Sequence, residues 1–461
     1  MTLIVTSQYE LNRVVAPRLP TAPPDYEKRY HDQFADVLRL YFNRLDNILG
    51  QLVATMETIP VSIGGTNLDA FGRLRVSNPL TLFDSSHRYA DNNLWVNSIT
   101  GTAAATFSAD EGLVNLTVGS ASGDQIIRET IKVFSYQPGK SLLVMSTFVM
   151  GDPKAGLRQR VGYYGAANGI YFERDGSTNY MVERSSVTGV LTNTRVAQAD
   201  WNQDPMDGTG PSGLTLDSSK AQILYMDVEW LGLGTVRTGF IINGAFVPCH
   251  NFNHANLVTT TYITTASLPL RYEMTNTAAT TGASTLKQVC STVISEGGYE
   301  LRGAQLSAGN TITTPTTLTT AGTFYPVVSL RLKTTRLDAI VILTAISILG
   351  ITNNANYKWE VVASGTTTGG TWVSAGTNSA VEYNITGTAF SSTGGRILAT
   401  GFFQGSNQGS NSVDILKEAL FASQLERDPF TPTAYELTLA CTAAANGNQV
   451  LGSLDWEEIS R

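Results

Sequence analysis

The stretch TVRTGFIINGAFVP, residues 235–248, decides the fold class. Two runs rich in β-branched and aromatic residues, 238–242 and 245–247, flank Asn243-Gly244. Asn and Gly accept the positive φ that a two-residue hairpin turn requires, so the stretch predicts two antiparallel strands joined by a tight turn. The same texture extends in both directions. Strand-like runs occupy 112–118, 126–134, 141–150, 160–164, 169–173, 179–184, 221–230 and 286–294, with turn signals at Gln137-Pro138-Gly139 and Arg174-Asp175-Gly176. Many short strands with no long helix between them predict a mainly β fold of the sandwich or jelly-roll type.

Composition agrees. The chain has 461 residues, and at roughly 100–200 residues per domain this predicts two or three folded units. Only 15% of residues are charged, and there are 42 glycines; a low-charge chain with abundant Thr, Gly and Asn suits pleated strands and turns. The net charge of −7 argues against a nucleic-acid binder, which needs a basic face to displace counterions. Three cysteines, Cys249, Cys290 and Cys441, with no CxxC pair, argue against a disulfide framework and read as small buried apolar residues.

The amino terminus has no basic segment followed by an apolar core, so no signal peptide is expected. The most apolar run, LDAIVILTAISILGI at 337–351, contains Asp338 and Gly350 and falls short of the ~20 residues needed to span a bilayer. It reads as buried strand, as two strands, or as a strand and a bend. No membrane insertion is expected, and the protein is expected to be made soluble in a cytoplasm.

Five segments follow. Residues 1–60 are an amino-terminal arm and an oligomerising or anchoring helix. Leu3-Ile4-Val5 could add as a strand to a neighbour, and APRLPTAPP at 16–24 is an extended, semi-rigid piece. From Asp25 to about Thr58 there is no proline, and Phe34, Leu38, Tyr41, Leu45, Ile48 and Leu52 recur in alternating steps of four and three, a heptad. Leu at a positions with bulky or β-branched residues at d points to three or four strands in a coiled coil; the other reading is an amphipathic helix on the chain's own core. Residues 61–81 are a connector, in which Arg73 and Arg75 alternate with Leu74 and Val76; they read as a solvated strand face or as an intersubunit ion pair. Residues 82–302 form the first β-sandwich, whose strand texture resembles the lectin-like, concanavalin-type sandwich. Residues 303–323, rich in Thr, Ala and Gly, form a linker or extended edge strand. Residues 324–461 form a second β-sandwich, interrupted by a predicted helix at 412–426 with Val413, Leu416, Leu420 and Phe421 on one face and Pro429 beyond it.

Two stretches carry a family resemblance. LPTAPPDYEKRYHDQFADVLRLYFNRLDNILGQL, residues 19–52, and DAFGRLRVSNPLTLFDSSHRY, residues 69–89, resemble segments of structural proteins of tailed bacteriophages, especially those of marine phages. The resemblance implies a virion component in a fibre, tail or capsid-surface position.

The search for chemistry yields few candidates. No GxSxG, P-loop or GxGxxG occurs, so no catalytic residue is assigned and no enzyme is expected. His250 and His254 stand four apart, but CHNFNHAN reads as an Asn-rich loop, not a metal helix. Asp200, Asn202, Asp204 and Asp207 offer oxygen donors suited to Ca²⁺, against an ordinary acidic loop; Pro205 stands where the EF-hand loop needs Gly. Glu173, Asp175 and Glu183 are the acids a glycan-cutting enzyme would use. Tyr163, Tyr164, Tyr171, Trp201 and Trp372 are candidate glycan contacts, since a ring offers an apolar face to a sugar.

The expectation is therefore a homotrimeric phage structural protein, a fibre or adhesin-like component. It docks onto other virion proteins through its amino-terminal region and reaches host-surface glycan through its β-units. A glycan depolymerase and a purely architectural capsid or neck protein are the alternatives.

Overall fold

The structure, a computed structural model of the chain, describes residues 28–58, 77–300, 302–405, 411–414 and 423–460. It divides into two units, Met1–Val76 and Ser77–Arg461. The arm at 1–27 and the connector with Arg73 and Arg75 lie outside the described residues.

In the first unit a single helix, α1, runs from Lys28 to Thr58. Its span follows from the proline-free sequence between Pro24 and Pro60. The structure supports the helix but not a coiled-coil pairing. Phe34, Leu38, Tyr41 and Leu45 are half-buried, Leu40 and Phe42 are exposed, and no second α-helix is present among the described residues. The side chains of Ile48 and Leu52 lie outside the described set.

The second unit is mainly β. Its first sandwich comprises β1 (Leu80–Ser86), β2 (Trp95–Thr100), β3 (Ala104–Ser108), β4 (Leu113–Val118) and β5 (Gln125–Thr130). It continues with β6 (Leu142–Val149), β7 (Leu157–Tyr164), β8 (Gly169–Asp175), β9 (Thr178–Ser185) and β10 (Thr192–Ala197). It closes with β11 (Gln222–Val228), β12 (Val236–Ile242), β13 (Ala245–Phe252), β14 (Leu270–Asn276) and β15 (Ser284–Ser295). An eight-stranded sheet runs β13-β12-β11-β6-β15-β4-β3 with β1 also on β15, and a seven-stranded sheet runs β10-β9-β8-β7-β14-β5-β2. The pairing is antiparallel throughout, and Asn243 and Gly244 take φ of 51° and 79° at the predicted hairpin between β12 and β13. Alternate residues of both sheets, among them Leu116, Phe148, Tyr163, Phe172, Phe240 and Tyr272, fill one core.

The second sandwich comprises β16 (Ala304–Gly309), β17 (Thr316–Leu318), β18 (Tyr325–Leu332), β19 (Ile340–Gly350), β20 (Asn356–Thr368) and β21 (Val373–Ser374). It continues with β22 (Val381–Asn384), β23 (Ala389–Ser391), β24 (Arg396–Gln404), β25 (Asn411–Asp414), β26 (Glu436–Ala443) and β27 (Asn448–Ser460). A five-stranded sheet centred on β27 and β19 faces a seven-stranded sheet centred on β18, β26 and β20, over a separate core that includes Leu330, Val361, Leu439 and Trp456.

Two local expectations are narrowed and one is corrected. Of the two readings of 303–323, the extended edge strand is the one observed and the linker is not: β16 and β17 both pair with β27, with β16 at the edge of the five-stranded sheet. The apolar run at 337–351 forms one strand, β19, with a register shift between Leu343 and Ala345. The helix predicted at 412–426 begins instead as a strand, β25, whose Val413 pairs with Ile346; the pairing offered by β19 overrides the helical periodicity. Residues 415–422 lie outside the described set.

The two sandwiches are joined by a strap at 423–427. Its Leu425 N–H donates to the Val341 carbonyl (2.9 Å) and its Arg427 N–H to the Ile131 carbonyl (3.2 Å), so one strap bonds to both sandwiches. Val133 of the first sandwich packs on Ile340 and Ile342 of the second in a small apolar seam beneath it.

Among the described residues no helix is long and apolar enough to cross a membrane.

Candidate functional site

Strand alternation sends half of each side-chain row in the seven-stranded sheet away from the core. On β7, β8 and β14 the outward residues include Arg158, Arg160 and Tyr164; Tyr171, Glu173 and Asp175; and Arg271 and Glu273. On β5, β9 and β10 they include Glu129, Arg184 and Arg195. This charged face is nonetheless largely buried: Arg160, Glu173, Arg184, Arg271, Glu273 and Glu129 are each less than 9% exposed. Burial of so many charges is tolerated only where each is paired.

The pairing is dense. Arg160 Nε donates to Glu173 Oε2 (2.6 Å) and its Nη1 to Glu273 Oε1 (2.9 Å), so one guanidinium bridges β8 and β14. Arg195 Nη2 lies 2.5 Å from Glu173 Oε1 and 2.9 Å from Asp175 Oδ2. Arg271 Nε donates to Glu129 Oε2 (2.6 Å), and Arg427 Nη2, from the strap, donates to Glu129 Oε1 (3.0 Å). Between the ion pairs sit aromatic rings. Tyr164 and Tyr171 lie 4.4 Å apart between centroids, with the Arg184 guanidinium over both at 5.3 and 5.2 Å.

Burial opposes ionisation of Glu273, but Arg160, Arg158 and Arg271 outweigh it and hold the carboxyl below its ordinary range. Burial pushes Glu129 up, against the pull of Arg271 and Arg427. General acid catalysis of glycoside cleavage needs one protonated carboxyl free to face a leaving oxygen. Both oxygens of Glu129 and of Glu173 are instead met by guanidinium groups, so the arrangement is suited to holding strands and cross-linking sandwiches.

Of the three acids singled out in the sequence, Glu173 and Asp175 meet through Arg195. Glu183 is turned to the other side of the sheet, where it bonds His254 (2.7 Å). His254 also meets the Gly234 carbonyl, and its ring stacks on Tyr262 at 3.8 Å. Burial would lower its pKa, but the Glu183 and Gly234 bonds raise it. His250 belongs to strand β13, not to a loop as read from sequence, because its chain pairs with Thr238 of β12. No group of three or more His, Cys, Asp or Glu suited to a metal occurs among the described residues.

The acidic stretch is a set of turns. Asp204 accepts from the Met206 and Ser212 N–H groups (2.8 and 2.7 Å), Asp207 from Thr209, and Asn202 exchanges two bonds with Asn251. Asp200 closes a short 3₁₀ turn. These bonds give the stretch a local structural role, and the four residues are not drawn to a common centre.

The aromatic candidates are corrected more sharply. Tyr163, Tyr164 and Tyr171 are fully buried and Trp201 nearly so, because each points into a packed layer between or upon strands. Trp372 alone is partly open, and the Arg331 guanidinium covers its ring at 4.1 Å.

Sequence reading missed Arg160, Arg195, Arg271, Glu273, Glu129 and Arg427. The signal was available for most of them: in LRQRVGYY and LRYEMTN charged residues alternate with core residues, the mark of a polar second face.

No protein-family model matches the chain. No curated protein matches it either. Among solved structures, a β-glucanase of Bacillus licheniformis aligns at 11% identity over 46% of this chain and 96% of that one, with a TM-score of 0.32. A glycoside hydrolase family protein from Mycobacterium thermorestibile aligns at 9% identity over 46% and 99%, TM-score 0.33, and peanut lectin at 11% over 48% and 98%, TM-score 0.27. These likenesses assign no chemistry to this chain.

Proposed function

We propose that the chain is a structural component of a tailed-phage particle, an adhesin-like or fibre-like protein that docks by its amino-terminal region and presents the tandem sandwich outward. The observation that supports this most is the state of three acids on the outer face of the seven-stranded sheet: Glu129, Glu173 and Glu273 are buried and each is paired with arginines, an arrangement suited to a static lattice. The strap at 423–427 supports it too, since it hydrogen-bonds to both sandwiches and ties them together. In this proposal α1 zips three copies together through Phe34, Leu38, Tyr41 and Leu45, continued by Ile48 and Leu52, and other virion proteins hold the arm. A trimer multiplies weak contacts with host-surface glycan into avidity.

Immunogold labelling with antibodies against residues 77–461, on particles purified from the lysate of the producing host, tests the proposal. Gold at a fixed position on the particle is the expected outcome. Particles free of label, with the protein recovered only in the soluble fraction, would overturn it.

A further inference from the structure

The connection between β11 and β12, residues 229–235, is a tight bend: the Leu233 and Gly234 N–H groups both donate to the Trp230 carbonyl (2.9 and 2.6 Å). Its apex is strained. Leu231 takes a φ of 41°, a left-handed value that a bulky residue rarely adopts, and such strain persists only where neighbouring contacts hold it. The side chains at the apex supply little of that hold, since Leu231 and Leu233 are 58% and 42% exposed.

Below the apex, the Tyr136 hydroxyl accepts from the Trp230 and Leu231 N–H groups (3.3 and 3.2 Å). The other tethers come from the connection between β13 and β14. The Tyr262 N–H donates to the Gly232 carbonyl (3.1 Å), and a Cβ added at Gly232 would come within 2.9 Å of Thr261 Cγ2, so the bend is seated closely there. Trp230 Nε1 donates to the Ile263 carbonyl (3.3 Å). The last tether is the buried ring of His254, whose Nδ1 lies 2.5 Å from the Gly234 carbonyl and whose Nε2 lies 2.7 Å from Glu183 Oε2 on β9.

The His254 tether differs from the others because its proton count changes near neutral pH. A neutral imidazole has one N–H and one lone pair. A carbonyl only accepts, and so does a carboxylate. Both bonds therefore exist together only while the ring carries two protons. Two titratable groups face that ring: Glu183 from β9, and Tyr262 from the same connection, stacked on it at 3.8 Å. Burial pushes the Tyr262 hydroxyl above its ordinary range and its O–H donates to the Glu229 carbonyl (3.0 Å), so Tyr262 stays neutral while the ring titrates. When His254 loses one proton, the other stays on Nε2, because a lone pair set against a carboxylate costs more than one set against a neutral carbonyl. Nδ1 then turns a lone pair on the Gly234 carbonyl, and attraction becomes repulsion.

We infer that His254 is a pH-operated latch for the 229–235 bend: as the imidazolium it ties Gly234 to β9, and as the neutral ring it releases Gly234 and lets the strained bend relax. Burial opposes the charged ring, but Glu183 and Gly234 outweigh it and hold the proton above the ordinary value of 6.5. The bend is therefore latched below about pH 6.5 and opens as pH climbs through the folded value. The latch requires nothing of the virion reading, since it follows from two acceptors on one ring.

Hydrogen–deuterium exchange of the full-length protein tests this, with millisecond labelling at pH 5.5, 7 and 8.5 and each rate divided by the intrinsic rate at that pH. Protection of the Leu233 and Gly234 amides is expected to fall roughly tenfold between pH 5.5 and 8.5, the loss of one charge-assisted bond, while β6 and β14 keep theirs. Glu183→Gln is expected to move the midpoint of that fall to lower pH. His254→Gln is expected to leave the bend equally protected at all three pH values. Constant protection of the bend in the parent protein, a fall shared by β6 and β14, an unmoved midpoint in Glu183→Gln, or a pH dependence that survives in His254→Gln would overturn the latch. The parent profile needs no substitution, so a variant that fails to fold leaves the test decisive.

Discussion

Arg427 Nη2 lies 3.0 Å from Glu129 Oε1, although the two residues stand 298 positions apart in the chain. Arg427 also donates through Nε to Asp338 (2.8 Å), while Glu129 receives Arg271 on its other oxygen. The ion pair therefore ties the outer face of the first sandwich to the strap and edge of the second, beside the small seam of Val133, Ile340 and Ile342. Removing one partner of a buried pair leaves an uncompensated charge and costs on the order of 3 kcal/mol or more. Arg427→Met is expected to uncouple the sandwiches. Differential scanning calorimetry should show one transition of the parent protein split into two, or its midpoint lowered; an unchanged single transition would show that the strap's backbone bonds suffice.

Glu173 offers a direct contrast between a lattice acid and a reactive one. Residues held for catalysis are often strained, so replacing them tends to stabilise a protein. Glu173 is fully buried between Arg160 and Arg195. Glu173→Gln is expected to lower the melting temperature by roughly 5–10 °C, from a cost of about 3 kcal/mol spread over a large unit. A higher melting temperature would return Glu173 to the list of reactive acids.

His254 links stability to pH. Its folded pKa is raised by Glu183 and the Gly234 carbonyl above the ordinary value of 6.5. A raised folded pKa means that the contribution is fully present below about pH 6.5 and is lost as pH climbs through the folded value. Glu183→Gln is therefore expected to lower the melting temperature more at pH 5.5 than at pH 9. Equal losses at the two pH values would place the Glu183 contribution in packing alone.

Much of the fold was legible because strand period and turn chemistry are local. Asn243-Gly244 takes the positive φ values its composition demands, and the strands around it fall where the alternation places them. Local signals failed where a distant partner decided the outcome. Val413 has helical company in sequence, but β19 supplies a strand partner. The site was less legible still. Tyr163 and Tyr171 look alike on paper, adjacent to turns and polar neighbours; one enters the sandwich core and the other is sealed beneath Arg184 and Arg160. Arg427 pairs with Glu129 only after two sandwiches have formed, and nothing near either residue announces it.

The most direct measurement is the mass of the full-length protein in dilute solution, by mass photometry, with Leu38→Asp and Leu45→Asp as a paired variant. Those two leucines belong to α1 and to neither sandwich core. The prediction is a species of about 150 kDa, three copies of the 49.5 kDa chain, falling to single copies in the double variant with the sandwich melting transition retained. A parent protein that is monomeric at micromolar concentration would contradict assembly through the amino-terminal helix.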